Sequence, residues 1–88
     1  MNQAELYDCL YGKLAPLVSK VDPGHLGGAA GEYDKDINEI IRIVIEKKRY
    51  LSAQELREIF ITCTGNFATL NDDEAESISD SIKDCLTS

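Results

Sequence analysis

With 88 residues, 43 % of them hydrophobic and 28 % charged, the chain has the makeup of one globular domain and not of a disordered tail. Its formal net charge of −7 and sequence pI of about 4.5 set it against phosphate backbones and anionic lipid surfaces. Nucleic acid and membrane are therefore not expected as direct partners, whereas a basic protein surface is the natural complement.

The start of the chain has neither the basic residues nor the apolar run of a signal peptide, and no stretch approaches the roughly 18 continuous apolar residues of a membrane span. A cytoplasmic protein is expected. Residues 4–20 predict a first helix, with Asn2 and Glu5 in capping-box spacing and an apolar line at Leu6, Leu10, Leu14, Leu17, Val18 and Val21. Pro16 is expected to bend it, because proline offers no N–H to the carbonyl four residues back. A loop follows over residues 22–31, where Pro23, Gly24, Gly27, Gly28 and Gly31 break regular structure, with Leu26 as the expected inward anchor.

Residues 34–48 predict a second, central helix with Ile37, Ile40, Ile41, Val44 and Ile45 recurring at three and four. Its β-branched run also suits a strand, but Asp36, Asn38, Glu39 and Arg42 fall at helical spacing. Acids at its start and Lys47, Lys48 and Arg49 at its end match the helix dipole. The third helix opens on a capping box of Ser52 and Glu55, flanked by Leu51 and Leu56 as a hydrophobic staple. Leu56, Ile59, Phe60 and Cys63 form its inner face, and Gly65 is expected to end it as a left-handed cap. After a short connection, a fourth helix begins behind Asn71, with Glu74 three residues on, and buries Ala75, Ile78, Ile82, Cys85 and Leu86. Short connections make neighbouring helices antiparallel. The expected fold is all-α: one compact four-helix domain over residues 1–88, with a glycine-rich loop between helices one and two.

Cys9, Cys63 and Cys85 are odd in number, widely spaced and on apolar faces, so reduced core thiols are expected. The only histidine, His25, has no partner defined by the sequence, and no catalytic residues are expected. Zinc would need a close ligand pair, which is missing. Asp34, Asp36 and Asn38 repeat the start of a calcium loop, yet Glu39 stands for its glycine and Ile45 for its closing glutamate. Gly24, Gly27, Gly28 and Gly31 lack the lysine and the spacing of a phosphate loop. Neither a metal nor a cofactor is expected, and the chain does not look like an enzyme.

The strongest interaction signal is the charge of the last helix. Residues 71–88 hold Asp72, Asp73, Glu74, Glu76, Asp80 and Asp84 against Lys83 alone, a local balance of −5 within a total of −7. Asp73, Glu76, Asp80 and Asp84 are spaced three, four and four apart, so they form one outward stripe opposite Ile78 and Ile82. Such a stripe can serve solubility alone, or meet a basic protein with help from Asp36 and Glu39 on helix two. Tyr7, Tyr11 or Tyr50 would supply the aromatic anchor.

The stretch Asp22-Pro23-Gly24-His25-Leu26, followed by Glu32-Tyr33-Asp34-Lys35-Asp36-Ile37, resembles the D-P-x-G-L … E-Y-D-x-E-I pattern of the YugE-like family of small helical bacterial proteins. The resemblance implies a four-helix domain without known enzymatic activity, similar to immunity proteins encoded beside bacterial toxins. On that basis the expected partner is a cognate basic toxin, for instance a nuclease, whose active surface the acids would cover. The alternative is a structural or regulatory adaptor, homodimeric if Tyr7 and Tyr11 form an exposed apolar patch.

Overall fold

The computed structural model describes residues 2–27 and 31–87. Four helices, α1 (Gln3–Val21), α2 (Asp34–Lys47), α3 (Ala53–Cys63) and α4 (Asp72–Leu86), make up the expected all-α fold, with no strand among the described residues. The starts follow from side-chain chemistry. Asn2 accepts from the Glu5 N–H, while Ser52 with Glu55 and Asn71 with Glu74 form reciprocal capping boxes that satisfy otherwise orphaned N–H groups. α1 runs on through Pro16 to Val21 and closes with Asp22 at φ 52. Thr64 is the cap residue of α3, and Gly65 directly after it has φ 145, a positive value that favours glycine.

Specific pairs show that sequential helices are antiparallel. Tyr7 meets Asn38 and Tyr11 meets Asp34 between α1 and α2. Asp36 meets Thr64 at one end of α2 and α3, and Arg49 meets Glu55 at the other. Ser79 donates to the Leu51 carbonyl at 2.6 Å, while Arg57 reaches Leu70 and Asp72. Cys9 near the start of α1 meets Cys85 near the end of α4, so α1 packs between α2 and α4 while α3 closes the ring. Leu10, Leu14, Val18, Ile40, Val44, Leu56, Ile78 and Ile82 fill the centre with no exposed surface. Truncating one such side chain to alanine typically costs about 2–5 kcal/mol, a large part of a small domain's stability of about 5–15 kcal/mol.

The connection between α1 and α2 is fastened differently from the expectation. Leu26 is 45 % exposed, and the buried anchor is Tyr33, whose ring meets Phe60 edge-on at 6.4 Å between centroids. The Tyr33 hydroxyl donates to the Asp22 carboxylate and accepts from the Gly24 N–H at 2.9 Å. Asp22 also accepts from the Leu26 and Gly27 N–H groups at 2.9 and 3.0 Å. A side chain at Gly24 would stand 2.6 Å from Thr64 Cγ2, so close approach to α3 requires glycine there. Asp22, Gly24 and Tyr33 thus form one hydrogen-bonded knot. Gly28 lies outside the described residues.

Cys9 and Cys85 are joined as a disulfide, with Cα atoms 5.9 Å apart, whereas both were expected as free core thiols. The physical reason is topological: the antiparallel packing of α1 and α4 brings residues 76 positions apart into one layer. Cys63 keeps its thiol, which burial pushes above its ordinary pKa.

Candidate protein-binding face

α4 buries Ala75, Ile78, Ser79, Ile82 and Cys85, and this inner stripe turns the intervening acids outward. Asp73, Glu76, Asp80 and Asp84 are all exposed along one ridge. Two of the six acids have structural work instead. Asp72 pairs with Arg57, and Glu74 returns its carboxylate to the Asn71 N–H at 3.0 Å. The base on this helix, Lys83, stands 3.9 Å from Asp80 and 4.3 Å above the Tyr50 ring. That contact places Tyr50, 48 % exposed, at the flank of the ridge.

Helix two does not extend this face. Asp36, expected among the steering acids, is 2 % exposed and accepts from the Thr64 hydroxyl at 2.6 Å. Burial raises its pKa, chiefly by stripping water from the carboxylate, so it belongs to the interior. Helical spacing carries a signal for this, since Asp36 precedes Ile40 and Val44 by four and eight residues on one face. Glu39 is at the surface but engaged: Arg42 donates to it, lowers its pKa and bonds Glu46 as well. The remaining surface set is Asp73, Glu76, Asp80 and Asp84, joined by Tyr50.

The other two expected anchors, Tyr7 and Tyr11, act within the fold. Tyr7 and Tyr11 stack at 6.0 Å and donate to Asn38 and Asp34 at 2.6 and 2.7 Å, tying α1 to α2. Accepting carboxylate and burial both keep the Tyr11 phenol protonated, with its pKa raised. Tyr7 remains 37 % exposed while its hydroxyl is held by Asn38.

His25 holds a left-handed conformation at φ 54 and lies 3.1 Å from the Thr69 hydroxyl, in a cleft of about 420 Å³ that also includes Asp22 and Glu74. Both carboxylates are committed elsewhere, Asp22 to Tyr33 and the loop N–H groups and Glu74 to its cap. Asp34 and Asp36, the first two positions of the partial calcium pattern, serve Tyr11 and Thr64 respectively. Among the described residues, no group of three or more His, Cys, Asp or Glu side chains converges as a metal site. No helix among them is long and apolar enough to cross a membrane.

No family model, curated protein or solved structure matches the chain.

Proposed function

We propose that this domain is an acidic protein-binding module of the immunity type, which neutralises a basic bacterial toxin by covering its active surface. The observation that supports this reading is the α4 ridge: Asp73, Glu76, Asp80 and Asp84 exposed in line, with Tyr50 at its flank. Opposite charge speeds encounter and selects among partners, while an aromatic side chain supplies contact energy once the surfaces meet. Like charges on one helix face slightly destabilise the helix, so the ridge adds little to folding.

The test compares tagged wild type with the double charge reversal Glu76→Lys and Asp80→Lys, both exposed, in quantitative capture from the native cell. Wild type retains a basic protein whose recovery falls as salt rises, and co-expression of the two relieves that protein's toxicity. The reversed variant loses both effects. Equal capture by the two forms would contradict the reading.

The second reading is a homodimeric adaptor whose acids serve solubility. The groove between α2 and α3 favours it, a space of about 450 Å³ lined by Ile43, Ile59 and Cys63 together with Lys35, Glu39, Glu55 and Glu58, where charges of both signs suit contact with a second copy. Light scattering separates the two, since a concentration-independent dimer mass belongs to the adaptor alone.

A further inference from the structure

Two cysteines from opposite ends of the chain meet at the far end of the proposed binding ridge. Cys85 is 1 % exposed and follows Asp84 directly, whereas Cys9 is partly open to solvent. Beyond Ile82, the last turn of α4 is held to the core by Cys85 and the half-buried Leu86. Helix ends open locally at low cost unless tied down, and here the tie is covalent.

We infer that the Cys9–Cys85 pair is a reversible redox latch that sets the order of the α4 C-terminal turn and, with it, the Asp84 end of the acidic ridge. The part concerning the ridge rests on the binding function proposed above. The latch itself does not.

The chemistry is thiol–disulfide exchange with a small-molecule disulfide such as oxidised glutathione. The more accessible Cys9 thiolate attacks one sulfur, forms a mixed disulfide and expels one glutathione thiolate. The Cys85 thiolate then attacks Cys9 Sγ, closes the internal bond and expels the second. The two protein thiols lose two electrons and two protons, and one small disulfide becomes two thiols. Reduction runs backward, with attack at Cys9 and departure of the Cys85 thiolate. In a reducing cytoplasm the latch stands open, and it closes on oxidation or export.

The test uses the full chain equilibrated across a series of glutathione redox ratios, read by alkylation with mass spectrometry and by amide hydrogen exchange. Cys9 and Cys85 should lose alkylation together while Cys63 stays reactive. On reduction, the Asp84, Cys85 and Leu86 amides should exchange roughly ten-fold faster or more, while those of Ile40 and Val44 hold. A Cys9→Ser, Cys85→Ser form should ignore the redox ratio, and Cys63→Ser should respond as wild type does. Thiols that stay reduced at every ratio, or exchange that ignores their state, overturn the latch.

A second arm measures binding of an oligo-lysine peptide to both redox states, with roughly three-fold weaker affinity expected after reduction. Redox-independent binding overturns the coupling between latch and ridge. Binding by the Glu76→Lys, Asp80→Lys form as tight as by wild type overturns the ridge reading, and the exchange data still decide the latch.

Discussion

Asp36 carries a carboxylate into the interior at the first turn of α2, where the Thr64 hydroxyl and the helix start favour its charge but burial opposes it. Burial wins, since its pKa is raised. A folded-state pKa above the unfolded one gives stability that is complete below the unfolded value and is lost as pH rises through the folded value. Replacing Asp36 by asparagine removes that titration and keeps an acceptor for Thr64. Wild type should therefore gain on Asp36→Asn as pH falls from 7 toward the ordinary carboxylate value. Urea unfolding of both proteins at several pH values checks this, because the titrations of the other carboxylates cancel in the difference. A constant difference would mean that the Asp36 carboxyl titrates alike in the folded and the unfolded chain. Glu55 shows the opposite sign: Arg49 and the Ser52 N–H pull its pKa down to about 2, so its contribution is present at neutral pH and fades as pH falls through that value.

At the scale of elements, the same side-chain chemistry makes the helices legible in the amino-acid order. Ser52 with Glu55 and Asn71 with Glu74 mark starts that the fold reproduces as reciprocal hydrogen bonds, and the apolar spacings of α2 and α4 name their buried faces. The connection between α1 and α2 is less legible. Leu26 is the one large apolar side chain in a polar stretch and invites burial by hydrophobicity alone, yet the buried residue is Tyr33. Its hydroxyl has partners in the half-buried Asp22 and the buried Gly24 N–H, an arrangement that periodicity does not report. Tyr33→Phe keeps the ring packing but leaves the Gly24 N–H without its acceptor. The cost should be about 1–3 kcal/mol, read as a lower urea midpoint with unchanged denaturant slope. A loss below about 0.5 kcal/mol would mean that water replaces the hydroxyl and that the knot is not structural.

For the whole molecule, the acidic excess is visible from composition, and its exposure along α4 follows from helical spacing. The disulfide is not visible, because it needs two facts that no local pattern contains: α1 lies against α4, and they run in opposite directions. Once the topology is known, residues 9 and 85 fall in one layer, and the bond closes nearly the entire chain into a loop. Cross-linking so long a loop restricts the unfolded ensemble more than the folded one, with typical gains of about 2–4 kcal/mol. For a domain of this size that corresponds to a melting temperature about 10–20 °C higher in the oxidised state. Calorimetry with and without reductant should show this difference for wild type and for Cys63→Ser, and none for Cys9→Ser. A wild-type melting temperature that ignores reductant would mean that the packing of α1 on α4 needs no covalent help. The charge ridge adds a second, independent dependence: self-repulsion along α4 weakens as salt rises, so both redox forms should gain slightly in stability with ionic strength while their separation stays constant.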